Sequence, residues 1–504
     1  MNAPPKATPE NSMGAKRNPR VVVVGAGMSG IMAAIKMHEA GINDLTIYEK
    51  ADKVGGTWRD NRYPGLSCDV PAHLYTYSFE TNPDYSHRYA RGPEIHAYFE
   101  RVARKYNLYA NIKFNAELVK AEYKDARWHL ETQNGDSDVA DIVISACGVL
   151  HHPQYPNIDG MDDFKGAMFH SARWDDDLDL SGKRVAIIGT GATSVQMFPH
   201  IQKIASKLSL FQRTAQWVFP LFDREYSAKD KMRLRKHRWL ANALRSFYGK
   251  IFFDWFFGPA VIGNKPLLKL IAWGCLRNLE KNVKDPELRE RLRPDYQAAC
   301  KRLIFGRGFY EALQESNAEL VTDHIERFEA NGIRTQDGRL HEMDVIILAT
   351  GFKAHNFMRP MHMIGENGIT IDQAWENGAQ AHRAIATPGF PNYFMLIGPN
   401  SPIGNYSLIT ISELQMDYIM QLIDLWRSGS AHEIEPRVDA TQRFNEDIKK
   451  SMAGTIWVTG CKSWYIDKHG NPAMWPWSFK RFRKEMAQPQ LAEFEIRTAE
   501  AATD

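Results

Sequence analysis

Cysteine is scarce in this sequence. Only five cysteines occur among its 504 residues, and none stands in a Cys-x-x-Cys pair or in a spacing that suits a metal site. A redox-active dithiol and a zinc-type centre are therefore excluded as sources of chemistry, and we expect no metal. An odd number of scattered cysteines also indicates a reducing, cytoplasmic compartment. The cysteines are Cys68, Cys147, Cys275, Cys300 and Cys461.

Long hydrophobic runs are missing too. Residues 1–19 are polar and lack the apolar core of a secretion signal, so we predict a disordered leader. The most apolar stretch, 246–275, is interrupted by Asp254, Lys265 and two prolines, whereas a membrane span needs ~20 nearly uncharged residues. A packed helical insert is favoured there. Peripheral contact with an anionic bilayer, through the basic run 229–238 and the neighbouring aromatic residues, is the less favoured alternative.

The net charge is small. The chain has 63 Lys and Arg against 60 Asp and Glu, a formal charge of +3. This balance does not indicate a nucleic-acid partner and favours a small-molecule ligand. The length suits two to four modules, and the sequence does not indicate the oligomeric state.

Two copies of one glycine-rich pattern are present. In the first, the apolar run Val21–Val24 is followed by Gly25, Gly27 and Gly30, and then by a helical pattern. The second copy follows an apolar run at 185–188 with the same spacing, formed by Gly189, Gly191 and, at the third glycine position, Ser194. A strand, a Gly-x-Gly-x-x-Gly turn and a helix together predict a dinucleotide site, because the free N–H groups at the helix start bind a pyrophosphate.

The residues that end the next strand of each copy differ in charge. Glu49 lies 24 positions after Gly25, and Arg213 lies 24 positions after Gly189. A carboxylate at this position accepts hydrogen bonds from a ribose diol, whereas a guanidinium attracts a 2′-phosphate. The sequence therefore predicts FAD at the first site and NADPH at the second.

These patterns predict an α/β fold with two Rossmann-like dinucleotide-binding domains. Residues 20–150 form the first part of the FAD domain in this interpretation, and the NADPH domain, 151–352, is inserted after it. A charged and aromatic stretch at 221–300 interrupts the strand–helix alternation and predicts a helical insertion. Residues 353–504 return to the FAD domain and add a segment that covers substrate and cofactor.

Two further segments resemble one enzyme family. The segment from Gly55 to Asp69 resembles the Gly-Gly-x-Trp…Tyr-Pro-Gly-x-x-x-Asp segment of type I Baeyer–Villiger monooxygenases, which are class B flavoproteins that use FAD and NADPH. Residues 164–175 match that family's fingerprint, Phe-x-Gly-x-x-x-His-x-x-x-Trp-Asp, at every fixed position, including Trp174 and Asp175. Related N-oxygenating flavin monooxygenases usually carry Tyr or Phe at the Trp position.

The resemblance extends from about residue 21 to 477 and implies a reaction. A ketone would be converted to an ester or lactone with O₂ and NADPH, through a C4a-peroxyflavin, and sulfides would also be oxidised. An N- or S-oxygenating flavin-containing monooxygenase is the alternative. A disulfide reductase of the same architecture is disfavoured, because it needs a close cysteine pair.

The resemblance also implies roles for particular residues. Arg302 would be catalytic, with Asp69 orienting it, although the residues alone would place a Lys-Arg pair at an exposed helix end. Lys301 would join Arg213 and Thr214 at the 2′-phosphate, and the region around Trp475 would contact substrate. The other implied cofactor contacts are Gly56, Thr57, Trp58, Asp69, Tyr75, Thr193, Ser194, Gln196 and Trp464.

Overall fold

The computed structural model describes residues 17–404, 406–461, 463–471 and 473–498. Its strands are Val21–Val24 (β1), Leu45–Tyr48 (β2), Ile112–Lys113 (β3), Leu118–Lys124 (β4), Arg127–Thr132 (β5), Ser137–Ala140 (β6), Ile142–Ser145 (β7), Ala167–His170 (β8), Arg184–Ile188 (β9), Lys207–Phe211 (β10), Val218–Pro220 (β11), Ile304–Gly306 (β12), Ala318–Val321 (β13), Ile325–Glu329 (β14), Gly332–Thr335 (β15), Leu340–Glu342 (β16), Val345–Leu348 (β17), His362–Ile364 (β18), Tyr393–Met395 (β19), Glu433–Pro436 (β20) and Phe494–Arg497 (β21).

The helices fall into three types. The α-helices are Met28–Glu39 (α1), Thr57–Asp60 (α2), Gly92–Lys105 (α3), Ala192–Ile201 (α4), Ala228–Lys236 (α5), Arg238–Phe247 (α6), Gly258–Val261 (α7), Lys265–Asn282 (α8), Pro286–Arg291 (α9), Phe309–Ala312 (α10), Ile371–Ala374 (α11), Leu408–Arg427 (α12), Val438–Met452 (α13) and Phe479–Glu485 (α14). A π-helix spans Tyr248–Phe257. Short 3₁₀ helices are Leu108–Asn111, Met161–Asp163, Ser171–Arg173, Glu366–Gly368, Ile456–Val458 and Leu491–Glu493.

The first parallel sheet carries the first glycine-rich turn. Its strand order is β19-β7-β1-β2-β3, and Val21 of β1 pairs with Leu45 of β2 and with Ile142 of β7. Strands β1 and β7 are apolar except for Ser145 and almost completely buried, as expected for strands covered on both faces. Strand β19 lies 248 positions after β7 in sequence and pairs with it. The first domain is therefore split in sequence, as predicted.

The second parallel sheet carries the second turn. Its order is β13-β10-β9-β17-β8, with Val185 of β9 opposite Leu208 of β10 and Val345 of β17. All of its strands lie between residues 167 and 348, inside the chain of the first domain. The predicted α/β class with an inserted second dinucleotide-binding domain is confirmed.

The remaining elements extend these two units. Smaller sheets are formed by β18-β4-β5-β6, β14-β15-β16, β11-β12 and β20-β21. Helices α5 to α9, with the π-helix, form the helical insertion, and α8 packs on β11. Of the predicted leader, residues 1–16 lie outside the described residues, and the Arg17 N–H donates to the carbonyl of Arg427 at 2.9 Å. None of the helices in the described ranges has the length and apolar character that a membrane crossing requires.

Candidate active site

A cavity of about 1170 Å³ is lined by residues of both dinucleotide-binding domains. Both glycine-rich turns and the loop that carries Arg302 open onto it. The predicted site residues that line it are Gly25, Gly27, Glu49, Gly56, Thr57, Trp58, Asp69, Tyr75, Gly189, Gly191, Thr193, Gln196, Arg213, Thr214, Lys301, Arg302 and Trp464. Gly30 and Ser194 are not among the lining residues, because each lies on the inner side of its helix.

The first turn needs glycine for two different reasons. Gly25 has φ +102°, a conformation that L side chains rarely adopt. At Gly30 a Cβ atom would lie 1.9 Å from the carbonyl oxygen of Gly25, so only glycine lets α1 approach β1 this closely. Gly30 thus shapes the turn from below and does not face the cavity.

Glu49 ends β2 at the cavity wall and is only 4% exposed. Its Oε2 accepts a hydrogen bond from the N–H of Ala26 at 2.9 Å, and its Oε1 accepts from Ala51 at 3.0 Å. Arg59 Nη1 lies 3.0 Å from Oε1. These contacts fix the carboxylate beside the first turn, where its free lone pairs fit a ribose diol. The sequence reasoning missed Arg59, although it directly follows Trp58 in the family-like segment.

The segment from Gly55 to Tyr75 covers the first turn. A Cβ on Gly56 would lie 3.1 Å from Cα of Gly27, so the two backbones nearly touch. Thr57 begins α2, and Trp58 Nε1 donates to the hydroxyl of Tyr75 at 3.0 Å, with the two rings edge to face. This packing fixes one wall of the cavity beside the predicted FAD site.

The second turn is built in the same way. Gly189 has φ +111°, and a Cβ there would lie 2.4 Å from the carbonyl oxygen of Ala349. A Cβ on Gly191 would meet no other described atom within 4 Å, so this glycine leaves open space at the start of α4. Ser194 is fully buried, and its Oγ has no hydrogen-bond partner among the described residues. Because the helix packs closely on the strand, this position needs a small residue, and serine is small enough.

Gln196 connects the second domain to the first. Its Oε1 accepts from the hydroxyl of Tyr63 at 3.0 Å, and its Nε2 donates to the carbonyl of Ser67 at 3.0 Å. Thr193, also on α4, contacts the same Tyr63 hydroxyl. The amide is therefore engaged by protein, and Gln196 holds the two sides of the cavity together.

Two cations face each other at the far side of the second turn. Lys301 has a lowered pKa because it is partly buried and because the Arg213 guanidinium lies nearby. Its Nζ lies 4.6 Å from the ring centroid of Tyr296, and no carboxylate of the described chain forms a salt bridge with either cation. Thr214 lies beside them, and its carbonyl accepts from Thr190 Oγ1 at 2.9 Å. Two close cations that form no salt bridge with a described carboxylate fit a doubly charged phosphate.

Arg302 and Asp69 form an ion pair inside the cavity. Nη2 of Arg302 lies 2.5 Å from Oδ2 of Asp69, and Nε lies 3.2 Å from the same oxygen. The charge of Asp69 raises the pKa of Arg302 above its ordinary value. Arg302 lies in the loop just before β12 and not at a helix end, so that part of the expectation from the residues alone is wrong, whereas its side chain is 40% exposed, as expected. The guanidinium is a permanent positive charge whose free N–H groups face the cavity.

The aromatic residues near the C-terminus differ in what they contact. Trp464 lines the cavity and lies edge to face with Tyr465. Tyr465 is buried against Arg302, a contact that the sequence reasoning did not identify. Trp475 is fully buried against Trp477 and Phe482 and does not line the cavity. The expectation of a substrate contact at Trp475 is therefore wrong.

The cysteines also differ from expectation. Cys300 and Cys461 form a disulfide, whereas Cys68, Cys147 and Cys275 are free. The bridge joins the residue before Lys301 to the segment that carries Trp464. Sequence reasoning missed it because the partners are 161 positions apart. A disulfide is unusual in the reducing compartment that the cysteine pattern indicated, and the cytoplasmic location stays a prediction.

The histidine of the family fingerprint, His170, is held by backbone hydrogen bonds. His170 Nε2 donates to the carbonyl of Gly351 at 3.0 Å, and Nδ1 accepts from the N–H of Ala172 at 3.1 Å. Burial lowers its pKa to about 4, so the ring is neutral near pH 7. It joins β8 to the end of β17 and does not line the cavity.

Comparison with known proteins gives a consistent result. Residues 18–258 match the Flavin-binding monooxygenase-like family. An uncharacterized monooxygenase of Mycobacterium tuberculosis is 47% identical over 95% of this chain and 97% of its own. A Baeyer–Villiger monooxygenase of Pseudomonas aeruginosa is 36% identical over 97% of this chain and 93% of its own. The crystal structure of cyclohexanone monooxygenase from Rhodococcus sp. Phi1 bound to NADP⁺ superposes with a TM-score of 0.85 at 27% identity, over 95% and 99% of the two chains.

Proposed function

Because this chain belongs to the Baeyer–Villiger monooxygenase family, we propose that it inserts one oxygen atom of O₂ beside the carbonyl carbon of a ketone. The product is an ester, or a lactone when the ketone is cyclic. The observation that carries the proposal is the Arg302–Asp69 ion pair, whose guanidinium faces the same cavity as both dinucleotide turns.

The cofactors are FAD and NADPH. In the overall reaction, ketone, O₂, NADPH and a proton give ester, NADP⁺ and water. When bound, the flavin activates O₂ and the nicotinamide supplies two electrons. The chain's own residues bind these groups, orient the ketone and stabilise charge.

Arg302 is the proposed catalytic residue. Negative charge develops on oxygen as it adds to the carbonyl carbon, and a fixed guanidinium stabilises that charge without giving up a proton. Asp69 is the positioning residue: it binds Nε and Nη2 of Arg302 and leaves Nη1 without a contact to the carboxylate.

Arg213 and Lys301 are the proposed phosphate-binding residues. Bringing two cations together costs free energy in the empty site, as the lowered pKa of Lys301 reflects. A 2′-phosphate between them removes that cost, so NADPH is preferred over NADH.

The test is oxygen-dependent NADPH consumption across a panel of linear, cyclic and aryl ketones, with the products identified. We expect esters or lactones in amounts that match NADPH consumed. An amine belongs in the same panel: formation of N-oxide without ester from any ketone would favour the N-oxygenating alternative. A sulfide is expected to give sulfoxide, and that product does not separate the two reactions.

A further inference from the structure

Exposed large hydrophobic side chains are concentrated in the helical insertion. Fifteen described large hydrophobics are exposed, and eight of them lie between residues 222 and 273. This short stretch holds every exposed tryptophan of the described chain. The eight are Phe222, Met232, Trp239, Phe247, Ile251, Trp255, Leu270 and Trp273.

Five exposed apolar residues form one row along a continuous helix. Helix α6 passes directly into the π-helix, with helical backbone angles at the junction. Trp239, Ala243, Phe247, Ile251 and Trp255 follow at four-residue steps and are all exposed. Trp255 is 71% exposed and Trp239 65%. Residues four apart lie on the same side of a helix, so the row is a single apolar stripe directed away from the protein.

The insertion is also strongly basic. Residues 229–277 contain eleven Lys or Arg and two Asp, a formal charge of +9; the whole chain is +3, so all other residues together carry −6. The two acidic groups are engaged within the protein: Asp230 binds Arg224 at 2.9 Å, and Asp254 binds Arg483. Neither of these carboxylates therefore neutralises a Lys or Arg of the segment itself.

Most of these cations have no ion-pair partner among the described residues. Arg235 binds Asp84 and Arg245 binds Glu413. The others are free to meet an external anion. They are Lys229, Lys231, Arg233, Lys236, Arg238, Lys250, Lys265, Lys269 and Arg277.

The inner side of the same segment forms part of the cavity wall. Phe252, Phe253 and Phe257 of the π-helix line the cavity, as does Val261 of α7. A surface bound to the outer stripe would therefore lie one helix diameter from the active site.

We propose that residues 229–277 dock on the surface of an anionic lipid bilayer. Tryptophan and phenylalanine side chains enter the headgroup region, while the lysines and arginines bind lipid phosphates. Uncompensated positive charge beside an apolar stripe matches an anionic membrane interface. A second copy of the chain would bring an equally basic surface to the stripe, and the two surfaces would repel each other. The docking does not depend on the proposed reaction.

The test is vesicle flotation of the FAD-loaded enzyme. We expect at least about tenfold more enzyme on phosphatidylcholine vesicles that contain phosphatidylglycerol than on pure phosphatidylcholine vesicles, and loss of this binding at high salt. Equal binding to both vesicles, or no binding to either, overturns the proposal.

Two sets of variants separate the apolar and the charged contributions. Trp239→Ser with Trp255→Ser, and Lys229→Glu with Arg233→Glu and Lys236→Glu, should each reduce flotation severalfold. The matched controls are Ile204→Ser with Leu491→Ser and Lys165→Glu with Lys183→Glu and Lys203→Glu, which change exposed residues elsewhere. Circular dichroism, bound flavin and NADPH oxidation without vesicles verify that each variant is folded. Flotation that neither test set alters contradicts the proposal.

Analytical sedimentation without lipid tests whether a second copy of the chain covers the stripe instead. If the wild type forms a dimer that Trp239→Ser with Trp255→Ser dissociates, a second copy covers the stripe and the membrane assignment is wrong. A wild type and variant with the same mass in solution support the bilayer.

Discussion

At the residue scale, one ion pair connects two parts of the chain that are 233 positions apart. Asp69 belongs to the segment that covers the FAD-side turn, and Arg302 precedes β12 in the other domain. Because both N–H contacts go to a single carboxylate oxygen, the orientation of the guanidinium depends on Asp69. Substituting Arg302 removes the positive charge, whereas substituting Asp69 changes the orientation of the guanidinium, so the two contributions can be tested separately.

Arg302→Ala should abolish oxygen insertion while NADPH oxidation continues. Loss of a positioned charge of this kind costs about 100-fold or more in rate, and hydrogen peroxide should accumulate in place of ester. Asp69→Asn, which keeps the shape but removes the charge, should have a smaller effect in the same direction. Ester, peroxide and NADPH are measured together; undiminished ester formation by Arg302→Ala would exclude its catalytic role.

Arg213→Ala and Lys301→Ala should each raise KM for NADPH by about tenfold or more, because each removes one charged contact to the 2′-phosphate. KM for NADH should change little. Arg307→Ala removes an exposed arginine that does not line the cavity and serves as the matched control. Steady-state kinetics with both nucleotides decides the question, and equal changes for NADPH and NADH would rule out phosphate binding.

At the element scale, the two turns show what glycine spacing can predict. Aliphatic strands ending at glycines predicted β1, α1, β9 and α4 because these contacts are local in sequence. The same spacing could not distinguish a glycine that faces a ligand from a glycine that lets a helix pack closely on a strand. Gly30 lies under its turn, whereas Gly191 leaves open space.

Gly191→Ala should weaken NADPH binding without destabilising the protein. The added methyl group meets no described atom within 4 Å, so it occupies only the space where a pyrophosphate would lie. We expect Kd for NADPH to rise by about tenfold, at an unchanged Tm. Gly454→Ala, also free of contacts within 4 Å and away from the cavity, is the control. A variant that binds NADPH normally would show that the cofactor lies elsewhere.

His170 should make stability fall in acid. Its pKa drops from an ordinary 6.5 to about 4 in the fold, so the unfolded chain binds a proton that the folded chain does not. The contribution is complete above about pH 6.5 and decreases as the pH falls towards 4; between pH 7 and pH 5 His170 alone lowers the free energy of unfolding by roughly 2 kcal/mol.

Thermal unfolding between pH 7.5 and 5 tests this effect. The decrease in Tm should be smaller in His170→Gln than in the wild type, and unchanged in His129→Gln, where the histidine is exposed. The comparison uses the slope of Tm against pH, because the hydrogen bonds that the substitution removes lower Tm by the same amount at every pH. Identical slopes in all three proteins would contradict the buried, neutral state of His170.

At the scale of the whole molecule, long-range contacts limited what the sequence could establish. The split first domain was predictable, because β19 reads as a buried strand followed by a turn. The positions of Arg302 and Trp475 were not, since both depend on how distant segments pack. From the residues alone Arg302 belongs to an exposed helix end, and only the family resemblance indicated the cavity. The Cys300–Cys461 bridge follows from the same packing and has no local signature.

The packing of the two domains brings the proposed site residues together. Gln196, Tyr63 and the Arg302–Asp69 pair connect the two domains, so the residues proposed to bind FAD, NADPH and the ketone line one cavity.

Isotope labelling under ¹⁸O₂ tests the central claim most directly. With a ketone substrate and NADPH, mass spectrometry should find one ¹⁸O atom in each ester or lactone molecule, at the position between the carbonyl carbon and the migrated carbon, and one product per NADPH consumed. An ester without label, or label found only in peroxide and water, would contradict the account.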